Sequence, residues 1–441
     1  MAKIVINHLG SIHHVEMDIK RVNIFIGEQA TGKSTLCKAV YYFRNLKEVL
    51  LDYYYTVGQE GESSKGLLKE LSSRLKDSFV SLFGYSWQLP ADLSMDYYYS
   101  EQHWVKIKLM QAKKKYISVE FSKILLEELQ TLDNYANKFY ESITAINGRS
   151  ILPVLENKKF YEYLENEVSR ILVDDMTTYY IPAGRGLLSL LCNQKTYLNY
   201  GELDPINRKF MQTIETLQPK FADGTTHVHS YYPISERKFS VEKISEEIIH
   251  GMKGEYFYQK GREYLQMENS EEEIAINFTS SGQQEILWLY NQLYVLMLKD
   301  EKAFVIIEEP EAHLYPILQK NIVDFIVKYI NITGGSAIIT THSPYILTET
   351  NNLCFIGKMK NNDSIRKEIE KLVGKWAYIF LEELNAYKLS NGLHGTEVLS
   401  LIEKETGELL AEEIDDISQE INEIYSKLFY MEEGLIADEK N

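Results

Sequence analysis

The spacing of apolar positions changes several times along this chain, and each change predicts a new element. KIVIN, HHVEMDI and RVNIFI, within the first 26 residues, are short apolar or alternating runs with Leu9, Gly10 and Ser11 as a turn; they predict three strands. After Gly27 the period becomes helical through STLCKAVYYFRNLKEVLLDYYY and stops at the polar, glycine-rich stretch 58–66. Residues 104–120 predict two strands around a lysine-rich turn, and 121–176 predict charged helices. YYIPAG at 179–184 reads as a strand end stopped by Pro182 and Gly184. Residues 200–275 hold no sustained period. Residues 283–299 predict a strong helix, AFVIIEE at 303–309 a buried strand, and 314–330 a helix. SAIITTHS at 336–343 and LCFIGKM at 353–359 predict two more strands, and the tail from 365 reads as helical with some loop, ending in the polar LIADEKN. There is no internal repeat or low-complexity tract.

Composition narrows the class. A chain of 441 residues exceeds one simple core, and 44% hydrophobic with 25% charged residues is ordinary for a soluble protein. The oiliest run, ILWLYNQLYVLML at 286–298, is short and interrupted by Asn291 and Gln292, so it predicts a buried helix and no membrane span. No secretory signal is visible at the start. Cys37, Cys192 and Cys354 are far apart, which argues for reduced structural thiols and a cytoplasmic home. A net charge of −17 argues against a generally basic nucleic-acid binder, though not against a local basic groove.

Two stretches carry candidate chemistry. GEQATGKST, Gly27 to Thr35, fits G-x-x-x-x-G-K-[ST] between an apolar strand and a helix. Its glycines let backbone N–H groups of Glu28, Gln29, Ala30, Thr31, Gly32 and their neighbours turn inward around phosphate oxygens. The following helix adds partial positive charge at its N-terminus. Lys33 is placed to bridge the terminal phosphates of ATP and Ser34 to coordinate Mg²⁺. The second stretch is FVIIEEPEAHLYP at 304–316, which brings acids to the tip of a buried strand. Charge there is costly unless it serves a metal or a reacting water. Glu308 suits the metal role and Glu309 the general base; a strand running out into solvent acids is the weaker reading.

IIEEPEAHLYP resembles the Walker B and D-loop region of ABC-type ATPases of the SMC and OLD-like group, including bacterial AAA-family proteins whose strand ends in EEPEAHLHP. Three further blocks agree in order and spacing. FTSSGQQE at 278–285 resembles the ABC signature, AIITTHSP at 337–344 the switch-histidine strand, and INHLGSIHHVEMDIKRVNIFIGEQATGKST the first strands and P-loop. The resemblance is specific for residues 1–45 and 276–360. It implies an α/β P-loop NTPase with an ABC-like mixed sheet, N-terminal antiparallel strands and a largely helical insertion. The implied divisions are 1–120 and 276–364 for the two parts of the ATPase head, 121–275 for the insertion and 365–441 for a helical tail.

The resemblance further implies a nucleotide-sandwich homodimer or higher homo-oligomer, in which Ser280, Ser281, Gly282 and Gln283 reach the γ-phosphate bound by the other subunit and His342 contacts it or positions water. Two positions depart from the wider pattern: Ser281 replaces a glycine, and Glu308 replaces an aspartate. No Toprim nuclease is expected, since EEIDD at 412–416 lacks its D-x-D spacing. The resemblance thus points to an ATP-driven switch acting with a separately encoded effector, frequently a nuclease, in bacterial anti-phage defence. A chromosome-maintenance ATPase of the SMC type predicts sustained heptads, which 46–275 lacks. A transporter subunit fits the long insert poorly, and a scaffold with little turnover fits Glu309 poorly. Arg185 near the nucleotide or in an ordinary ion pair, Lys113 to Lys115 on phosphates or in solvent, and the DYYY blocks at 52–55 and 96–99 stacking on bases or packed inside all stay open.

Overall fold

Short alternating strands separated by turn residues open the chain as β1 (Ala2–Leu9), β2 (Ile12–Ile19) and β3 (Val22–Gly27). Helices α1 (Lys33–Arg44), α2 (Leu46–Glu60) and α3 (Leu67–Phe83) follow, then β4 (Ser94–Tyr98), β5 (Trp104–Gln111), β6 (Lys115–Phe121), α4 (Lys123–Ile146) and α5 (Val154–Ile171). The middle holds β7 (Thr177–Ile181), α6 (Arg185–Cys192), α7 (Pro205–Leu217), α8 (Val241–Met252), β8 (Gly254–Gln259), β9 (Arg262–Met267) and β10 (Glu273–Ala275). The last part holds α9 (Ser281–Leu298), β11 (Ala303–Glu308), α10 (Pro316–Thr333), β12 (Ser336–Thr341), α11 (Pro344–Met359), α12 (Asp363–Val373), β13 (Leu384–Gly392) and β14 (Gly395–Ser400). This computed structural model describes residues 2–410 apart from 62–64, 112–113, 147–153, 193–202, 233–238, 361–362, 393–394 and 404–408, together with residues 424 and 426.

Two larger sheets organise the described residues. One is six-stranded in the order β14-β13-β3-β12-β11-β7, parallel except for the β13–β14 hairpin. The other is antiparallel in the order β2-β1-β4-β5-β6. Continuous apolar runs in β3, β11 and β12 fit a parallel sheet covered on both faces. Ile24, Ile26, Val305, Ile307 and Ile339 pack on one face with residues of α9 and α10, such as Leu293 and Ile326. Phe25, Phe304, Ile306 and Ile338 pack on the other with Leu36 and Val40 of α1 and Ile4 and Ile107 of the antiparallel sheet. The end of α1 is anchored by Arg44, which donates to Asp174 Oδ1 (2.8 Å) and Thr178 Oγ1 (3.0 Å) and lies 3.8 Å from the Phe304 ring centroid.

The structure corrects two sequence expectations. LCFIGKM is the last part of α11 and not a strand. Ser343 caps that helix by accepting from Tyr345 N and Pro344 starts it, and Ile346, Leu347, Thr350, Leu353, Cys354 and Gly357 are buried at helical spacing while Phe355 points outward. The tail from 365 is not helix and loop alone either, for it holds two strands. Leu384–Gly392 runs parallel to β3, Leu384 opposite Val22, and turns back as β14. The range 121–275 also contributes β7 to the six-stranded sheet, beside β11. Both DYYY blocks supply packing: Tyr53 donates to Asp133 Oδ1 (2.9 Å), Tyr54 to Leu129 O (2.7 Å), and Tyr97 and Tyr99 are buried. Cys37, Cys192 and Cys354 are buried. Lys113, EEIDD and LIADEKN lie outside the described residues.

Candidate nucleotide site

Parallel strands β3, β12 and β11 are neighbours, so their C-terminal ends lie side by side, where ligands of open α/β sheets bind. The phosphate loop leaves β3 at Gly27, whose φ is 154° and where a Cβ would come within 1.9 Å of Leu389 O on β13. Gly32, with φ 89°, would set a Cβ 2.8 Å from Ser11 Oγ and from Ile12 on the β1–β2 turn. Both positions therefore require glycine. Ala30 also takes a positive φ, 61°, the strained kind of backbone that a surrounding structure must hold. Glu28, Gln29, Ala30 and Ser34 are exposed at the mouth, Thr35 packs near Gly10, and Thr31 is buried.

Inside the loop, Lys33 Nζ donates to Gly27 O (2.8 Å) and Glu28 O (2.6 Å). Burial pushes its ammonium below the ordinary lysine value, against the pull of the Glu309 and Glu311 carboxylates. Thr31 Oγ1 donates to Glu28 O (2.9 Å), and Thr31 O accepts from Thr396 Oγ1 (2.9 Å) on β14. Thr396 thus ties the loop to the late hairpin, and its N also reaches Ser11 O (3.1 Å).

The two adjacent acids differ sharply. Glu308, the last residue of β11, is buried; its Oε1 accepts from Tyr180 OH (2.8 Å) and its Oε2 from Ala183 N (3.2 Å). Burial raises the Tyr180 phenol well above its usual value, which keeps it protonated and donating. Glu309 is more open and takes φ 44°, with its N donating to Thr340 O (2.9 Å) and its Oε1 3.5 Å from His342 Nε2. Glu311 is buried below them: its Oε1 accepts from Thr341 Oγ1 (2.6 Å) and His342 N (2.7 Å). His342 thus lies beside Glu309, which follows Glu308 at the end of β11, and the Glu309 and Glu311 carboxylates act on Lys33.

The residues of the other predicted loop sit at the start of α9. Ser280 caps the helix and Gln283 completes a reciprocal box: Gln283 N donates to Ser280 Oγ (3.3 Å), and Ser280 N to Gln283 Oε1 (3.0 Å). Gln283 Nε2 also donates to Met252 O (2.8 Å), so this side chain serves the cap. Gly282 lies against the backbone after β11, where a Cβ would meet His313 O at 2.8 Å. Ser280 and Ser281 are exposed.

Sequence reading missed several supports. Tyr180 and Thr341 lay in stretches already singled out but without a role of their own, Thr396 lay in none, and Glu311 was visible only as a third acid. Arg185, left open between two roles, is wholly buried and donates to backbone carbonyls of Glu285 (2.7 Å), Glu308 (2.7 Å) and Glu309 (3.0 Å).

The donor set fits Mg²⁺. No cluster of three or more His, Cys, Asp or Glu able to hold a metal occurs among the described residues. Mg²⁺ with a nucleotide needs none: it keeps waters and uses substrate phosphates with one or two protein oxygens. The exposed Ser34 hydroxyl and the anchored Glu308 carboxylate match that need.

A phosphate loop after the first core strand, with acids and a histidine at the ends of its neighbours, defines a P-loop nucleoside triphosphatase fold. The chain belongs to the AAA ATPase domain family, whose model matches residues 1–347. It is 32% identical over 94 residues to protein ea59 of Escherichia phage lambda; the match covers 21% of this chain and only 18% of the phage protein's length. Among solved structures it is similar to an SMC head bound to the C-terminal winged-helix domain of ScpA, with TM-score 0.41 and 12% identity over 90% of this chain and 96% of that one. A second is the SMC head domain from Thermotoga maritima, with TM-score 0.37 and 10% identity over 90% and 97% of the two chains. No helix among the described residues is long and apolar enough to cross a membrane.

Proposed function

We propose that this protein binds MgATP and hydrolyses it to ADP and phosphate, and that it does so as a sandwich homodimer whose closure is the functional event. The observation that carries the reading is the convergence of Lys33, Glu308, Glu309 and His342 at the ends of adjacent strands. The loop backbone binds the phosphates and Lys33 offsets their charge. Ser34 and Glu308 would hold Mg²⁺, which supplies charge neutralisation on the phosphates when bound. Glu309 accepts a proton from water as the water oxygen attacks the γ-phosphorus and the bond to the bridging oxygen breaks. His342, 3.5 Å from Glu309, helps orient that water or the γ-phosphate.

The dimer is supported by the outward-facing signature. Ser280 and Ser281 are exposed, and so are large apolar side chains near them in sequence or across the D-loop: Phe278 is 80% and Tyr315 75% exposed. Single exposed apolar residues mean little, but these flank a helix N-terminus suited to an anion. The finer reading is an effector partnership, as with a separately encoded nuclease, in anti-phage defence. A chromosome-maintenance role is the second reading, and little turnover the third.

The deciding test is ATP turnover by wild type and Glu309→Gln, with particle size followed by light scattering. Hydrolysis by wild type and an ATP-stabilised dimer in the variant support the switch; no turnover and no ATP-dependent size change in either protein overturn it. For the partnership, co-purification with the products of adjacent genes, with and without ATP, is the check; no nucleotide-dependent partner sinks it.

A further inference from the structure

A buried guanidinium normally faces a carboxylate, because an unpaired charge away from water is costly. Arg185, at the start of α6, is 0% exposed, yet its short bonds go to main-chain carbonyls. Its Nε donates to Glu285 O (2.7 Å), Nη1 to Glu308 O (2.7 Å) and Pro182 O (3.3 Å), and Nη2 to Glu309 O (3.0 Å). The Glu285 carboxylate stands farther off, with Oε2 3.7 Å from Nε, while Glu285 Oε1 accepts from Gly186 N (3.2 Å). Burial lowers the Arg185 pKa and nearby acids oppose this. Such an arginine acts as a rigid fork that sets the relative position of three backbone segments.

Two of those segments matter. Glu309 sits in a left-handed conformation, φ 44°, with its N tied to Thr340 O and its O tied to Arg185, so its peptide framework is pinned on both sides. Strain of this kind persists only where neighbours impose it. Glu285 lies in the first turns of α9, the helix whose N-terminus carries Ser280 to Gly282. One side chain therefore holds both the candidate base and the helix that presents the signature.

The geometry points to Arg185 as a positioning residue that locks the backbone of Glu309 to the start of α9 and thereby couples the two ATP sites of the dimer. This rests on the sandwich reading: α9 serves the nucleotide of the partner subunit, while Glu309 serves its own. Docking of α9 onto a nucleotide then bears directly on the carbonyl of Glu309, 3.0 Å from the same guanidinium.

The experiment measures ATP hydrolysis against ATP concentration in the full chain, with binding followed separately by titration of a fluorescent ATP analogue. Arg185→Lys keeps the charge but loses the fork. It is expected to lower kcat about 10-fold or more, since small misplacements of reacting groups cost on that order. Its Kd stays within about 2-fold, and its Hill coefficient falls to that of independent sites. Glu285→Gln retains the main-chain carbonyl and an acceptor for Gly186 N but removes the charge 3.7 Å from Nε that helps hold the fork, and it shifts kcat the same way by a smaller factor. Unchanged kcat and Hill coefficient in a folded Arg185→Lys overturn the proposal, and so does loss of binding and turnover in step. Should that variant not fold, Glu285→Gln decides alone, unchanged turnover and cooperativity counting against the coupling. If wild type hydrolyses ATP but never dimerises, the sandwich reading fails and the coupling with it. A kcat loss at constant Kd would then still show that Arg185 positions Glu309 within one subunit.

Discussion

The phosphate loop and the signature loop are built on opposite plans. The first is braced by parts of the chain far apart in sequence: the β1–β2 turn presses on Gly32, Leu389 O presses on Gly27, and Thr396 holds Thr31 O. The second is held mainly by its own cap, Ser280 with Gln283, and by Met252 O, and it faces solvent beside the exposed Phe278. A braced loop is ready to bind alone. A loop that is rigid at its root and bare at its tip presents donors to something outside the subunit. On the proposed sandwich dimer, the difference gives binding to one subunit and completion of the site to two.

Substitutions can break that division at either end. Glu309→Gln removes the base while leaving both loops intact; turnover should fall by about 10²–10⁴-fold in a phosphate-release assay, with ATP still bound. Ser281→Arg blocks only the outward loop. It should cut turnover about 10²-fold and abolish ATP-dependent dimers in light scattering, while equilibrium binding of ATP is unchanged. Equal loss of binding in that variant would mean that the signature serves its own subunit. Tyr180→Phe removes the donor to Glu308 Oε1 and should raise the Mg²⁺ needed for half-maximal rate about 10-fold, measured by metal titration of the rate. Thr396→Val deletes one hydroxyl bond to the braced loop. It should weaken ATP binding by about 1 kcal/mol, roughly 5-fold, in the same titration.

How much of this was legible follows from how local the information is. Gly27, Gly32, Lys33 and Ser34 were readable because the phosphate loop is a backbone shape written in consecutive residues. Glu308 was readable because it ends a buried apolar strand, and His342, just past β12, only through the resemblance of AIITTHSP. LCFIGKM misled because a short apolar run fits strand and helix alike; the capping of α11 by Ser343 and Pro344 settles it. The tail strand Leu384–Gly392 was hidden for a different reason. Its neighbour is β3, and no local period records a pairing between the two ends of a chain. Arg185 stayed ambiguous because its partners are carbonyls, which have no sequence signature.

That same pairing sets a timetable for synthesis. β3 is made early, but its sheet neighbours are β12 and β13. Lys20 Nζ and Leu384 O, 364 positions apart, meet at 2.9 Å. At ~5–20 residues per second on the ribosome, the strand that feeds the phosphate loop waits roughly 20–70 s for its last neighbour. A nascent chain halted before Leu384 therefore holds GEQATGKST without the wall that shapes it. Nucleotide capture becomes a late event in the life of the molecule, one that reports that the β13 segment has been made and docked.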